Sequence, residues 1–232
     1  MSKAIVINKE SISPKETYYL LIVDSSTSMS KLTDSTINGV NEQVDTIKSL
    51  EKEFPDQKYY MSFIHFNSKI TIEYTNRESS SLEHISRNNY NCSGTTALLD
   101  AIGVGVKNLN DKISEKVKNG EASAVVVIIT DGEENASVEY TGNSVKSLIK
   151  ELQDTNRWTF TFIGSNIDSI ATAGRYGINV NNVIQFSSDV TSNVRVYGSM
   201  AKSMKLRASS IDNDLYDSGK FVDDSDKDLT SK

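Results

Sequence analysis

Two apolar segments that each lead into an aspartate constrain the fold of this chain more than any other feature. Residues 18–23 are followed by Asp24, and residues 124–129 are followed two positions later by Asp131. Both segments are far shorter than the roughly 20 residues that a membrane-spanning helix needs. Short apolar runs bounded by polar loops are typical of strands that are buried on both faces, as in a parallel sheet.

The spacing of apolar residues elsewhere predicts helices that alternate with strands. Spacings of three and four predict amphipathic helices over 37–54, 98–117, 145–152 and 190–204, and shorter helices are predicted over 82–85 and 167–176. Further strands are predicted over 59–66, 69–74, 158–163 and 183–186, the first two forming a hairpin through Asn67 and Ser68. This alternation predicts an α/β fold, a doubly wound and mostly parallel sheet with helices on both faces.

Oxygen-bearing side chains follow the two apolar strands. In a doubly wound sheet, ligands bind at the carboxyl ends of the strands, where the strand order reverses. Asp24, Ser26 and Ser28 alternate in an extended segment and therefore point to one side, and Thr96 precedes a predicted helix. Together with Asp131, these hard oxygen donors suit Mg²⁺ or Mn²⁺ better than zinc.

The balance of charge in this group suggests a binding function. If neutral hydroxyls of Ser26, Ser28 and Thr96 bind the metal directly, Asp24 and Asp131 can lie behind them and hold hydroxyls and waters in place. Much of the metal's charge then stays uncompensated, and the metal attracts a carboxylate from outside. We therefore expect a protein partner that supplies an Asp or Glu.

Three motifs resemble the metal-ion-dependent adhesion site of the von Willebrand factor A domain family. They are Asp24-Ser25-Ser26-Thr27-Ser28 after one strand, Gly94-Thr95-Thr96-Ala97-Leu98 opening a helix, and Ile129-Thr130-Asp131-Gly132 closing another strand. They occur in the family's order, and the resemblance covers about residues 18–207. It implies a three-layer, Rossmann-like fold with six strands, one of them an antiparallel edge strand.

The same resemblance implies a function and a ligand set. The implied metal ligands are Asp24, Ser26, Ser28, Thr96 and Asp131, with Mg²⁺ as the metal and Mn²⁺ or Ca²⁺ as alternatives. The implied function is non-enzymatic protein–protein binding. The chain is most similar overall to small stand-alone members from bacteria and phages, which implies a role in the assembly or regulation of a larger complex.

The sequence divides into an N-terminal extension over 1–16, the domain over 17–210 and an acidic tail over 211–232. The tail contains seven Asp and three Lys and few apolar residues, so we predict that it is disordered. The alternative is an acidic arm that docks on a partner or caps its own site, anchored by Leu215, Tyr216 and Phe221.

Composition excludes several classes of protein. A net charge of −6 disfavours nucleic-acid binding, and a lone Cys92 can form neither an intramolecular disulfide nor a cysteine-based zinc site. Residues 1–10 are too polar for a signal peptide. We expect a cytoplasmic protein of a bacterial cell or a phage-infected host, with no membrane or nucleic-acid partner.

Two alternative functions stay open. A strand that ends in Asp also begins the haloacid-dehalogenase phosphotransferases, but these need a second carboxylate two residues on, where this chain has Ser26. Neither a Gly-x-Ser-x-Gly motif nor a Gly-Lys-Ser/Thr triplet occurs. A Mg²⁺-dependent phosphoester hydrolase and a structural component of a phage or bacterial assembly are the alternatives. His65 is predicted to be a core residue, and Glu133 and Glu134 to be solvated rim charges.

Overall fold

The computed structural model describes residues 15–165, 168–213 and 215–230, and its centre is one seven-stranded sheet. The strands are β1 (Glu16–Asp24), β2 (Lys58–Phe66), β3 (Ile70–Glu78), β4 (Ala122–Thr130), β5 (Trp158–Ser165), β6 (Val183–Phe186) and β7 (Asp228–Leu229). Their order is β3-β2-β1-β4-β5-β6-β7. Among the strands of the described residues, only β3 pairs antiparallel to its neighbour.

Five helices cover the two faces of the sheet in the part of the chain that is described. They are α1 (Thr33–Glu53), α2 (Leu98–Lys118), α3 (Gly142–Gln153), α4 (Ser169–Arg175) and α5 (Val190–Asp212). Helices α1 and α5 pack on one face, and α2, α3 and α4 pack on the other. The predicted three-layer α/β architecture is confirmed.

The central strands form because nearly every side chain in them has an apolar layer to enter. In β1, Tyr19, Leu21 and Val23 belong to the core under α1 and α5, while Leu20 and Ile22 belong to the core under α2. All nine residues of β4 are buried. A strand buried on both faces needs a continuous apolar run rather than an alternating one, which is what residues 124–129 supply.

The strand order reverses at the pair of central strands. The chain leaves β1 through α1 to reach β2 on one side, and it later returns to form β4 on the other side of β1. Strands β1 and β4 are parallel and paired up to Val23 and Ile129. Asp24 and Asp131 therefore follow neighbouring strands at the same edge of the sheet, where the topology opens a crevice.

The tail corrects the prediction of a disordered segment. Residues 228–229 form β7 beside β6, which makes seven strands rather than six, and Phe221, Val222 and Leu229 are each at most 5% exposed. The prediction failed because it rested on average composition, whereas three apolar anchors are enough to hold this segment. Lys202 of α5 adds ion pairs to Asp223 and Asp226, each at 3.3 Å.

The smaller predictions had mixed outcomes. The hairpin of β2 and β3 is confirmed, with Asn67 and Ser68 at its turn. The helix over 82–85 is wrong, since a short 3-10 turn, Ser79–Ser81, precedes this segment instead. Ile167, the predicted start of α4, and most of the predicted N-terminal extension lie outside the described residues, and Glu16 already belongs to β1.

None of the helices within the three described ranges combines the length and the apolar character that a membrane-spanning segment requires.

Candidate metal-binding site

The carboxylate of Asp24, the last residue of β1, is held by donors from two segments. Its Oδ1 accepts the backbone N–H of Ser26 at 2.7 Å, and its Oδ2 accepts Thr130 Oγ1 at 2.6 Å. Burial raises the pKa of the Asp24 carboxyl above its ordinary value, although the hydrogen bonds from Thr130 and Ser26 act in the opposite direction. The carboxylate of Asp131 nearby also raises this pKa. A buried carboxylate with a second carboxylate beside it and no cation among these donors is a good partner for a metal cation.

The hydroxyl groups after β1 connect the Asp24 side of the site to Asp131. Ser26 Oγ and Ser28 Oγ lie 3.0 Å apart, and Ser28 Oγ donates to Asp131 Oδ1 at 2.5 Å. Ser26 has an extended backbone, with φ −68° and ψ 170°. The two hydroxyls meet as predicted, but not for the predicted reason, because Ser28 lies in a 3-10 helix, Thr27–Leu32, and the extended segment ends at Ser26.

Thr96 approaches the same place from the segment before α2. A Cβ on Gly132 would lie 3.3 Å from Thr96 Oγ1 and 3.7 Å from both Asp24 Oδ2 and Ser28 Oγ. Oxygens from two separate segments therefore surround one point beside this glycine, which belongs to the third segment, the one that carries Asp131. The structure thus brings together all five residues of the predicted set, which are Asp24, Ser26, Ser28, Thr96 and Asp131.

Backbone contacts fix the segments that carry these side chains. Tyr90 donates from its hydroxyl to the backbone oxygen of Asp24 at 2.5 Å. The backbone N–H of Thr27 donates to the oxygen of Gly94 at 3.2 Å, and Thr96 and Asn135 are joined by two hydrogen bonds of 2.9 and 3.1 Å. The three loops therefore form one connected unit, and the side-chain oxygens are pre-positioned.

The donor set fits a hard divalent cation. It consists of two carboxylates and three hydroxyls, and oxygen donors of this kind are the ligands that Mg²⁺, Mn²⁺ and Ca²⁺ prefer. Within the described residues, no group of three or more His, Cys, Asp or Glu is placed to hold a metal ion. A search for charged or soft ligands alone therefore does not find this site, because more than half of its donors are neutral hydroxyls.

Two hydroxyls in the site were not in the predicted set. Thr130 Oγ1 is the donor to Asp24 described above, and Ser188, after β6, donates to Asp131 Oδ2 at 3.3 Å. Ser188 in turn lies 2.7 Å from Ser165 Oγ at the end of β5. Their position in the sequence could have revealed them, since Thr130 and Ser188, like Ser165, follow the ends of predicted strands by one or two residues.

His65 lies beneath the first loop and is a core residue, as predicted. Its Nδ1 is 3.1 Å from Ser25 Oγ, and its Nε2 is 3.3 Å from Glu73 Oε1. Burial lowers the pKa of His65, while Glu73 raises it by a smaller amount. Because Ser25 is fully buried, this Ser-His-Glu row supports the loop and gives no exposed nucleophile.

A second pair of carboxylates lies next to the site and binds backbone N–H groups. Asp100, in the first turn of α2, accepts the backbone N–H groups of Val138, Glu139 and Tyr140 at 2.8–3.0 Å. Glu134 accepts the N–H groups of Leu99, Ala136 and Ser137 at 2.7–2.9 Å. Glu134 is therefore not the solvated rim charge that the sequence suggested, whereas Glu133 is exposed as predicted.

The sequence model of the von Willebrand factor type A domain family matches residues 20–170, and this chain belongs to that family. A search of curated protein sequences found no match. The family assignment agrees with the sheet topology and with the three motifs at the carboxyl edge of the sheet.

Solved structures share the fold at low sequence identity. One is proximal thread matrix protein 1 from the mussel byssus, whose metal-ion-dependent adhesion site (MIDAS) motif is occupied by zinc. It has a TM-score of 0.51 and 15% identity over 82% of this chain and 46% of its own. The minor pilin PilB of Streptococcus sanguinis has a TM-score of 0.55 and 13% identity, over 83% of this chain and 62% of its own. The manganese-loaded TRAP protein of Plasmodium vivax has a TM-score of 0.51 and 20% identity, over 78% of this chain and 71% of its own. This chain thus spans less than half of the mussel protein.

Proposed function

We propose that this chain is a divalent-metal-dependent protein-binding module whose partner supplies an Asp or Glu carboxylate. The observation that carries the proposal is the convergence of oxygens from Asp24, Ser28 and Thr96 around Gly132. Two solved proteins of the same fold, one with zinc at this motif and one loaded with manganese, support it. We further propose Mg²⁺ as the metal, with Mn²⁺ and Ca²⁺ as alternatives.

Hydroxyl ligands suit this function because they can change roles without moving the backbone. Ser28 now donates to Asp131 and lies beside Ser26. A hydroxyl oxygen can offer a lone pair to a cation while its hydrogen continues to point at a carboxylate. A bound divalent cation would supply Lewis acidity toward a partner's carboxylate. Asp24 and Asp131 orient the hydroxyls.

A non-catalytic role follows from the groups that flank the site. The two aspartates are occupied by hydroxyl donors, and the position two residues after Asp24 is Ser26, which cannot transfer a proton as a carboxylate would. His65 is not placed to replace it, since its Nδ1 lies 3.1 Å from the buried Ser25 Oγ and its Nε2 lies 3.3 Å from Glu73 Oε1. We therefore propose binding rather than phosphoester hydrolysis as the function.

The biological setting stays a prediction. A role in the assembly or regulation of a larger complex, and a cytoplasmic location in a bacterial cell or phage-infected host, are suggested by the similarity to small stand-alone family members. Mg²⁺ serving only as a structural staple is the remaining alternative.

The first experiment measures Mg²⁺ binding by isothermal titration calorimetry. Wild type is compared with a Ser26→Ala/Ser28→Ala variant and with Asp45→Ala, which removes an exposed carboxylate that pairs with His84 at 2.9 Å. We expect saturable binding in wild type and Asp45→Ala and none in the double variant. Equal binding in all three proteins would refute the assignment.

The second experiment tests partner binding. Immobilised wild type, the double variant and Asp45→Ala are exposed to extract from the source cells with Mg²⁺ or with a chelator. A partner retained only with Mg²⁺, and only by wild type and Asp45→Ala, supports the proposal. Retention unaffected by chelator favours the structural alternative, and Mg²⁺-dependent turnover of a generic phosphoester that disappears in Asp24→Asn favours the hydrolase.

A further inference from the structure

The loop that follows Asp131 is held in place by an unbroken series of hydrogen bonds. Each backbone N–H group from position 135 to position 140 donates to an acceptor at 2.7–3.1 Å. The acceptors are the backbone oxygen of Thr96 and the carboxylates of Glu134 and Asp100. These bonds offset the loss of chain entropy on ordering the loop and fix its shape.

The side chain at the tip of this loop is apolar and points to solvent. Val138 is 90% exposed, although its backbone N–H donates to Asp100 Oδ2 at 2.8 Å. A single exposed valine is common on protein surfaces and needs no explanation by itself. A valine on a fixed loop differs, because a partner that binds it does not have to order the loop. Asn135 ties the same loop to Thr96 of the candidate metal site, so Val138 keeps its place relative to the metal ligands.

Two more exposed apolar side chains follow the neighbouring strands at the same edge of the sheet. Ile170, in the first turn of α4 after β5, is 51% exposed, and Val190, the first residue of α5 after β6, is 54% exposed. Strands β4, β5 and β6 are parallel neighbours, and adjacent strands lie about 4.8 Å apart. Val138, Ile170 and Val190 therefore form one side of the carboxyl edge, which we call the apolar rim.

The other side of this edge is polar. Within residues 25–32 and 91–97, the exposed side chains belong to Ser, Thr, Asn and Lys, and the apolar Met29 and Leu32 are buried. The metal ligands lie where the two sides meet, since Ser28 of the polar side donates to Asp131 at the start of the other. A partner that reaches the metal can therefore bury exposed apolar surface only by covering the apolar rim.

The loop also carries two carboxylates that the protein leaves unpaired. Glu133 and Glu139 are exposed, and within the described residues neither side chain forms an ion pair or a hydrogen bond. They lie on either side of Val138 in the sequence. Carboxylates at the border of an interface repel acidic side chains and attract basic ones, and so they set the orientation of a partner.

We infer that the protein partner docks across the apolar rim and presents three kinds of side chain. Its Asp or Glu reaches the metal, an apolar side chain packs on Val138, and a Lys or Arg lies near Glu139. This inference rests on the proposed function, because the metal binds the partner's carboxylate. Burial of apolar surface contributes affinity, and the basic side chain decides in which direction the partner crosses the site.

A library of short random peptides displayed on phage tests this inference. Selection is carried out on the immobilised full-length chain in Mg²⁺, and the enriched peptides are synthesised and titrated by fluorescence polarisation. The variants are Val138→Ser, Glu139→Gln and the Ser26→Ala/Ser28→Ala pair. The matched control is Val180→Ser, which makes the same change at a side chain that is 54% exposed just before β6, at the opposite edge of the sheet.

We expect the enriched peptides to combine an acidic residue with an apolar and a basic one. Their affinity should fall about tenfold in Val138→Ser and about threefold in Glu139→Gln, and it should be unchanged in Val180→Ser. Peptides that need Mg²⁺ but bind wild type and Val138→Ser equally, or that lack apolar and basic residues, overturn the inference and leave the proposed function intact. Peptides that bind equally in a chelator and to the double serine variant overturn both, as does the absence of any enriched peptide.

Discussion

Two pairs of carboxylates lie side by side at the carboxyl edge of the sheet and are satisfied by different donors. The hydroxyl-lined pair, Asp24 and Asp131, accepts hydrogen bonds mainly from Ser and Thr side chains. The amide-lined pair, Asp100 and Glu134, accepts them mainly from the backbone N–H groups of one loop. The pairs are chemically alike and differ in what surrounds them.

This difference separates a binding role from a structural one. A backbone N–H can only donate, so the amide-lined pair is committed to holding the loop over residues 134–140. A hydroxyl can rotate and can both donate and accept. The hydroxyl-lined pair can therefore reorganise around a cation, whereas the amide-lined pair cannot.

Loss of the amide-lined pair is expected to reduce stability most. Asp100→Ala leaves the N–H groups of Val138, Glu139 and Tyr140 without their acceptor, and each unsatisfied buried donor costs about 1–3 kcal/mol. Because part of the loop can reach water, we expect a total loss of about 3 kcal/mol in the free energy of unfolding, measured in urea without metal. A loss below about 0.5 kcal/mol would mean that this pair is not structural.

The hydroxyl-lined pair is expected to show the reverse behaviour. Asp131→Asn keeps the shape of the side chain, so stability without metal should change by less than about 0.5 kcal/mol. Stabilisation by saturating Mg²⁺, about 2.7 kcal/mol at one hundred times the dissociation constant, should be absent in this variant. Thermal unfolding of both proteins with and without Mg²⁺ measures this, and equal Mg²⁺ stabilisation would contradict the contrast.

Gly132 gives a finer test of the space between the oxygens. In Gly132→Ala the new methyl group would crowd Thr96 Oγ1 and would fill space in van der Waals contact with Asp24 Oδ2 and Ser28 Oγ. We expect Mg²⁺ affinity to fall about tenfold, or about 1.4 kcal/mol. Gly174→Ala is the matched control, because a Cβ there meets nothing within 4 Å. An unchanged Mg²⁺ affinity in Gly132→Ala would place the metal elsewhere.

The smallest expected effect is the pH dependence of Asp24 in the metal-free protein. Burial raises the pKa of this carboxyl in the folded state, so the folded state binds the proton more tightly than the unfolded state. The free energy of unfolding of wild type should therefore rise relative to that of Asp24→Asn as pH falls toward the raised pKa. Chemical denaturation of both proteins across this range in a chelator tests the sign, and a relative fall would contradict it.

Much of the fold and site was predictable because the signals are local. The strands β1 and β4 are continuous apolar runs. Asp24, Ser26 and Ser28 were found because they follow β1 directly, although Ser28 lies in a 3-10 helix rather than in the predicted extended segment. Thr96 and Asp131 were found from their places at the start of a helix and the end of a strand. The resemblance to a family then supplied the ligand set.

What the sequence did not reveal depends on contacts between distant segments. The tail is held by Asn182, which accepts the N–H of Phe221, and by Lys202, which pairs with Asp223 and Asp226. These partners are distant along the chain, so composition alone suggested disorder. Glu134 cannot be told from Glu133 by residue type, because its role comes from the N–H groups that fold back on it. Ser188 also lies more than fifty residues from Asp131, its partner in the site.

The most direct test of the central claim is where a paramagnetic metal binds. Mn²⁺ added at low stoichiometry broadens the NMR signals of the amides nearest to it. We predict selective broadening at Ser26, Ser28, Thr96 and Gly132, abolished by excess Mg²⁺ and absent in Ser26→Ala/Ser28→Ala. Broadening centred instead on the aspartates of the tail, and unchanged in that variant, would contradict it.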